Sequence, residues 1–424
     1  MPLAKSVLIV GGGASGTLSA IALVRAGIPA HEIDIAEPRW LLGEGLAYQT
    51  RSPLHRLNVP TDRMSAIEDL PLDFVAWWGV EPYTFMERCS YGDYLRDRLP
   101  VGITHIRDFV VGLEKSAEGS IEVSFDKRGK GEYRYLVLAM GHGPARIPDF
   151  LNGFLSPRVI ADVWNGEELP RCRTLLCFGT GLSFIDIALS HLERDPLNKV
   201  IALSGSGNLP ERHTRTMSRP LTPTLEEVST LEKLRGYLAS NAAHWREAVD
   251  GLRPITNEMW QGFTNQEREE FLRTDGATWS RRRHRIAPDV ADRMDAEIEA
   301  GRIEVHAIKA SSVHDLEDQI VITSSDGRSF AGDYLALCIG RDYAPQDPLT
   351  LNLLSQNFTS RGPLGMGLAV DPVTGKLVNP AGEHYPNIYA IGPLRSGEAF
   401  ESTAIPEIRK QAAQIAAGIS AHTR

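Results

Sequence analysis

The chain opens on an apolar run, Val7 to Val10, that breaks into a glycine-rich turn and resumes as a helix-length segment, Thr17 to Ala26, closed by Gly27 and Pro29. That pattern predicts strand, tight turn and helix. Glu32 to Glu37 alternates apolar and polar positions and predicts a second strand. From Glu37 to Pro60 the chain is irregular and rich in Gly and Pro, yet Leu42, Leu46, Leu54, Leu57 and Val59 are too apolar for a solvated loop. Residues 65–100 read as helical, with Phe74, Trp77, Trp78 and Tyr94 as core positions, and His105 to Leu113 reads as a strand. A hairpin follows through Ile121–Phe125 and Tyr133–Leu138, and its apolar end runs into Met140 and Gly141.

The same plan then recurs. Thr174 to Phe178 is an apolar strand entering Gly179 and Gly181, a helical stretch follows, and Lys199 to Ser204 is the next strand. Tyr334 to Gly340 repeats the strand-to-glycine ending seen at Gly141. Between the repeats, residues 210–300 carry helical patterning, with Leu225–Leu252, Trp260 and Phe271, and little strand signal. The chain closes on a short strand, Pro386 to Gly392, and a helix from Pro406 to Ser420.

Length and composition narrow the class. The 424 residues suffice for two or three domains, and 42% hydrophobic with 23% charged residues is ordinary for a soluble globular protein. A formal charge of −9 argues against a nucleic-acid partner held by a basic field. No apolar run reaches the roughly 18 residues a membrane helix needs. The first apolar segment runs straight into the glycine turn, so it reads as a core strand and not as a signal peptide. Four cysteines without framework spacing point to a reducing compartment, and the expected location is cytoplasmic. Oligomeric state is left open, a homo-oligomer included.

The chemistry sits at the turns. Gly11, Gly13 and Gly16 have the spacing of a dinucleotide fingerprint: a sharp exit from the strand, close backbone approach to a pyrophosphate, and tight packing of helix on strand. Ala14 and Ser15 fall where free helix amides face a phosphate. Glu37 lies 26 residues after Gly11, where a carboxylate accepts hydrogen bonds from an adenosine ribose. In the second turn Gly179, Gly181 and Ser183 recur, but Phe184 replaces the third glycine, so the phosphate contact is kept while packing must adjust. The position 26 residues after Gly179 is Gly205, so the ribose acid is missing. A 2′-phosphate would meet no like charge there, and Arg212 is the nearest candidate to receive one. Val110, Gly141 and Gly392 complete the cofactor candidates, and in the irregular loop Gly43 and Gly45 allow close approach while His55 and Asn58 could hydrogen-bond a ring. The basic run Arg281 to Arg285 is either an ion-paired helix end or an anion site for a cofactor phosphate or a substrate carboxylate.

Two dinucleotide turns, two strand-to-glycine endings and the closing Tyr389-Ala390-Ile391-Gly392 resemble the layout of two-dinucleotide-binding-domain flavoproteins, in which the first turn takes FAD and the second NAD(P)H. More narrowly, Gly43 to Thr50 and His55 to Ala66 resemble a family of bacterial FAD/NAD(P)-binding proteins, as do Asp250 to Pro254, Arg282 to Pro288 and Glu401 to Arg409. That family is related to single-component flavin monooxygenases, N-hydroxylating ones among them. The resemblance implies that Gly11, Gly13, Gly16 and Glu37 hold FAD, that Asn58 lies near the isoalloxazine, and that Gly179 and Gly181 hold the nicotinamide nucleotide. It is not complete. Gly392 is followed by Pro393, where many relatives have an Asp for the ribityl chain, and Ala139-Met140-Gly141 stands where Ala-Thr-Gly is usual. Disulfide reductases of this superfamily need a cysteine pair soon after the first turn; here the spaced pair is Cys172 and Cys177, and five residues apart on a strand their thiols face opposite ways.

The expectation is an α/β fold with two Rossmann-like dinucleotide-binding domains and a helical insert in the second. Residues 1–155 and 331–424 build the FAD domain, and 156–330 the NAD(P) domain with its insert at about 210–300. The expected activity is that of a flavin-dependent oxidoreductase, a monooxygenase on a small-molecule substrate with His55 and Asn58 as catalytic candidates. A dehydrogenase or reductase without oxygen insertion and a non-catalytic nucleotide sensor are the alternatives.

Overall fold

Val7, Leu8 and Ile9 are fully buried on both faces of their strand, as expected for the centre of a parallel sheet covered on either side. This strand, β1 (Lys5–Val10), leads through its turn into helix α1 (Ala14–Arg25) and then β2 (Ile33–Ala36). The computed structural model describes residues 5–115, 119–166 and 168–423. Among them β1 pairs in parallel with β2 on one side and with β6 (Gly129–Leu138) on the other. The sheet runs β15 (Lys376–Val378), β16 (His384–Ala390), β6, β1, β2, β3 (Thr104–Ile106), with β4 (Val110–Lys115) and β5 (Ile121–Phe125) hung on β6. Its strands come from both ends of the chain. The closing helix Ile405–Thr423 packs on α1, where Ile405, Ile408, Ile415 and Ile419 join Leu18, Ile21 and Leu23 in one core.

The second sheet is parallel throughout and ordered β10 (Ile303–Ala307), β9 (Lys199–Ser204), β8 (Thr174–Phe178), β14 (Tyr334–Leu337), β7 (Val159–Ile160). A small antiparallel sheet, β11 (Ala310–Asp315), β12 (Ile320–Ser324) and β13 (Ser329–Gly332), precedes β14. Both nucleotide folds are therefore present. Between β9 and β10 the chain forms helices from Leu231–Ser240 to Pro288–Glu299. They bury a core of their own around Trp260, Phe271 and Trp279, and Phe400 of the closing segment stacks on Trp260 with ring centres 4.5 Å apart.

Three expectations about elements need correction. Residues 65–100 are not continuously helical: helix occurs at Asp73–Trp78 and Arg88–Arg98, and Gly79, Pro82 and the stretch between them break it. His105 to Leu113 is two strands. The buried carboxylate of Asp108 ends the first by accepting from the amide of Phe109 at 2.8 Å and from those of Lys127 and Arg128 at 3.0 Å, so the chain leaves β2 and joins β5 instead. Finally, β14 lies beside β8 in the second sheet, so the boundary expected at 331 falls too early, and the first sheet resumes only with β15.

Candidate functional site

The two turns repeat each other closely. The Gly11 amide donates to Ala36 O and the Gly179 amide to Leu203 O, both at 2.8 Å. Their φ angles are 102° and 103°, a region that a side chain rarely tolerates. A Cβ on Gly11 would lie 2.4 Å from Ala139 O, and one on Gly179 2.5 Å from Cys338 O. Each turn is thus wedged against the end of the neighbouring strand, and the glycines are sterically required. Gly13 and Gly181 then start their helices, α1 and Leu182–Arg194, in the same extended conformation and without a side-chain cap. The first amides of both helices stay free for an anion. Gly16 packs α1 onto the turn, since a Cβ there would come within 1.9 Å of Gly11 O. Its counterpart Phe184 is fully buried in the second core with Leu175 and Cys177.

Both turns open into one cavity of about 850 Å³. Gly11, Gly13, Ala14, Ser15, Glu37 and Gly141 line its first half, and Gly179, Gly181 and Ser183 its second. Glu37 is 4% exposed. Its carboxylate accepts from the Gly12 amide at 2.9 Å and from the amide and Nε of Arg39 at 3.1 and 3.0 Å. The irregular loop folds over the first turn: the Gly43 amide donates to Gly12 O at 2.8 Å, and a short helix Gly45–Tyr48 walls the cavity. Gly392, at φ 69°, sits against Ser15, whose Oγ would be 2.6 Å from any Cβ there. Its amide donates to Gln411 Oε1 at 2.9 Å. Pro393, Thr403, Ile405 and Ile408 line the cavity beyond it, so the closing segment meets the cleft with apolar groups and one hydroxyl where the usual Asp is absent.

Several candidates lie elsewhere. His55 is buried and joins the two halves: Nε2 is 2.7 Å from Ser190 Oγ and 3.2 Å from Asp186 O, and Nδ1 2.6 Å from Thr50 Oγ1. Burial, with the nearby Arg88 charge, pushes its pKa down to about 4. Asn58 offers its carbonyl to His213 Nε2 at 3.0 Å. Neither lines the cleft, so their expected catalytic place is not where the fold puts them. Val110 is buried in the core with Phe125. Arg212 is held by Asp292 at 3.1 Å and by Asp295, away from the cavity. The counterpart of Glu37 is also off by one: pairing of Gly179 with Leu203, as of Gly11 with Ala36, puts Ser204 in that place and not Gly205.

The basic run divides. Arg283 makes a buried two-point pair with Glu401 at 3.0 and 3.1 Å, Arg285 pairs with Asp250, and Arg282 lies over Trp245 at 5.4 Å. Arg281 alone of the four arginines lines the cleft, together with His284. Two further cleft groups escaped the sequence reading. Arg88 pairs with Asp186 at 2.5 Å and lies 5.5 Å over Trp164; burial lifts the Asp186 pKa to about 6 against the pull of Arg88. Arg341 pairs with Asp162 at 2.6 Å and donates from Nε to Gly143 O at 2.8 Å. An acid inside the apolar stretch Phe184 to Leu189 was the signal for the first; the second has none, because its partners are remote in sequence. As for the thiols, Cys172 precedes β8 and is not on it, while Cys177 is fully buried and hydrogen-bonded to Cys338, which raises its pKa well above the ordinary thiol value.

Fold and cleft together define a protein of the two-dinucleotide-binding-domain class. Residues 8–143 match the family described as FAD-NAD(P)-binding. Those residues hold the end of β1, the first turn, Glu37 and Gly141, and they fit FAD: the glycine cradle, the free amides of α1 and the buried acid are the donors and acceptor such a ligand needs. No curated protein matches the chain in sequence. Solved structures share its fold. The ornithine N-hydroxylase of Kutzneria sp. 744, in a complex with FAD, NADP+ and L-ornithine, aligns over 99% of this chain and 100% of its own at TM-score 0.68 and 16% identity. The cadaverine monooxygenase of Erwinia amylovora, bound to FAD, aligns over 98% and 94% at TM-score 0.68 and 10% identity. The bacillithiol disulfide reductase of Bacillus cereus aligns over 99% of each chain at TM-score 0.60 and 16% identity. No described helix is long and apolar enough to cross a membrane.

Proposed function

We propose that the protein is an NAD(P)H-using, FAD-dependent oxidoreductase, and specifically a monooxygenase that N-hydroxylates a small amine. The observation that carries this is that both glycine turns line one cavity, in which two dinucleotides would meet. FAD supplies hydride acceptance from the nicotinamide and, once reduced, activation of dioxygen. The chain supplies position and exclusion of water. Gly11, Gly13 and the free amides after them would hold the FAD diphosphate, Glu37 its adenosine ribose, and Gly179 to Ser183 the nicotinamide nucleotide. Pro393, Ile405 and Ile408 line the cavity and would exclude water from it, which suppresses side reactions. The fold's company with an ornithine N-hydroxylase and a cadaverine monooxygenase supports an amine substrate. Free thiols and the need for NAD(P)H suit a cytoplasmic site of action.

The reductase reading has one observation behind it, the shared fold of the bacillithiol disulfide reductase. Against it, the chain has no cysteine pair soon after the first turn: its first cysteine is Cys89, and the one lining the cleft, Cys338, stands beside the second turn next to the fully buried Cys177. The deciding experiment reduces FAD-loaded protein with NADPH without oxygen, then admits oxygen with ornithine, lysine, cadaverine or putrescine present. Hydroxylamine product in step with oxygen consumed supports the monooxygenase; rapid flavin reduction with only peroxide released, whatever the amine, removes it. A flavin left oxidised by NADPH and by NADH alike favours the non-catalytic nucleotide sensor instead.

A further inference from the structure

The second half of the cleft differs from the first at the residue that follows the carbonyl accepting from the turn glycine, Ala36 in one half and Leu203 in the other. In the first half Glu37 accepts from the Gly12 amide at 2.9 Å, and a carboxylate there repels any further anion on the ribose. In the second half Ser204 takes that place. Its hydroxyl lies 3.0 Å from Thr180 Oγ1 and accepts from the Gly207 amide at 3.0 Å, and Thr180 Oγ1 also reaches Asn208 O at 2.7 Å. The acid is replaced by hydroxyls and turned backbone. From Asn208 the chain runs directly to Glu211, whose amide donates to Arg281 O at 3.2 Å. The insert helix Gly276–Arg283 is thereby docked on the rim of the site the ribose would occupy, with Ser206, Asn208 and Arg281 all lining the cavity.

Of the arginines of the basic run, Arg281 is the one that lines the cavity, and its own partner is weak. Arg283 has the buried Glu401 and Arg285 the largely covered Asp250, while Arg212 is held by two exposed acids. Arg281 has a single long contact, 3.7 Å to Glu211, and its Nε is shielded from solvent without a hydrogen-bond partner. A buried guanidinium N–H without an acceptor is a cost that a ligand oxygen removes. Glu211 is a third exposed and free to swing to water when a phosphate competes for the fork.

We propose that Arg281, borne on the helical insert, receives the 2′-phosphate of NADP(H) and makes the protein prefer it to NAD(H). This rests on the reading that the second turn holds the nicotinamide nucleotide. It also gives the insert a role: it carries the residue that the strand end lacks. The test is calorimetric titration of the FAD-loaded, oxidised protein with NADP+ and with NAD+, which needs no turnover. The wild type binds NADP+ more tightly than NAD+. Arg281→Gln weakens NADP+ by roughly 10- to 100-fold, the worth of a charge-assisted pair of hydrogen bonds, and leaves NAD+ unchanged. Arg281→Lys falls between, keeping the charge and losing the fork, and Arg212→Ala leaves both affinities as they were. Unaltered flavin absorbance and melting show each variant folded. Equal weakening of both dinucleotides, or of neither, overturns the assignment. A wild type that binds neither overturns the nucleotide reading of the second turn, and this inference with it.

Discussion

Arg283 and Glu401 form a two-point ion pair, 3.0 and 3.1 Å long, with both side chains less than a tenth exposed. One partner stands on the insert and the other on the segment that closes the first domain, so the pair fastens the insert over the cleft. A second pair does the same nearby, Arg253 with Glu407 at 2.7 and 2.9 Å. Removing one partner of a buried pair strands the other charge, at about 3–5 kcal/mol. Arg283→Ala and Glu401→Ala are each expected to lower the midpoint of thermal unfolding by several degrees. The joint change Arg283→Met with Glu401→Leu is expected to cost less than either, because no charge is left behind. Midpoints, not extrapolated free energies, are the measure to compare in a chain of two domains.

The two glycine turns predict a clean separation of effects. A Cβ at Gly11 collides with Ala139 O and one at Gly179 with Cys338 O. Gly11→Ala is expected to yield protein without bound flavin. Gly179→Ala is expected to keep its flavin colour but to be reduced by NADPH at least about tenfold more slowly, for a distortion costing 1.4 kcal/mol or more. Absorbance at the flavin maximum and anaerobic stopped-flow reduction check the pair. Loss of flavin from both variants alike would contradict the division of labour.

Glu37 offers a finer probe of the first site. Its carboxylate takes the Gly12 amide and Arg39 at once, leaving lone pairs on the cavity side. Glu37→Gln keeps an acceptor for Gly12 and should weaken FAD about tenfold, whereas Glu37→Ala removes the acceptor and should weaken it about 100-fold, as charged hydrogen bonds of 1.5–3 kcal/mol require. Equilibrium dialysis of FAD against the apoprotein measures both.

How far the sequence revealed this protein follows from range. The first turn was legible because its residues are local: strand, three glycines and helix fall within a single stretch, and Glu37 follows at a fixed interval. The second turn was legible for the same reason, though Gly179 pairs with Leu203, one residue nearer in sequence than Ala36 is to Gly11, which shifts the ribose position from Gly205 to Ser204. What failed depended on contacts across the chain. Asp108 splitting His105–Leu113 needs partners at Lys127 and Arg128. Arg212 reads as a free arginine until Asp292 and Asp295 fold back on it. His55 lies in a loop that does cross the first turn, but its ring faces Ser190 in the other half, and no spacing encodes that.

That placement of His55 makes the joint between the halves sensitive to acid. His55 binds Ser190 and the carbonyl of Asp186, and His213 reaches the carbonyl of Asn58 in the opposite direction. Both rings are buried, and burial first, then a neighbouring arginine, pushes each pKa from 6.5 down to about 4. The fold therefore favours the neutral rings. Their stabilising contribution is complete above pH 6.5 and is lost as pH falls from 6.5 toward 4, where the unfolded chain takes protons that the folded one refuses. A full shift of this size is worth up to about 3 kcal/mol for each ring. Stability is expected to drop steeply across that interval. The double variant His55→Gln with His213→Gln, which keeps polar groups at both positions, should be less stable at pH 7.5 yet show a flatter decline. Unfolding midpoints at half-unit steps from pH 7.5 to 4 read this out, and an equally steep decline in the double variant would place the acid sensitivity elsewhere.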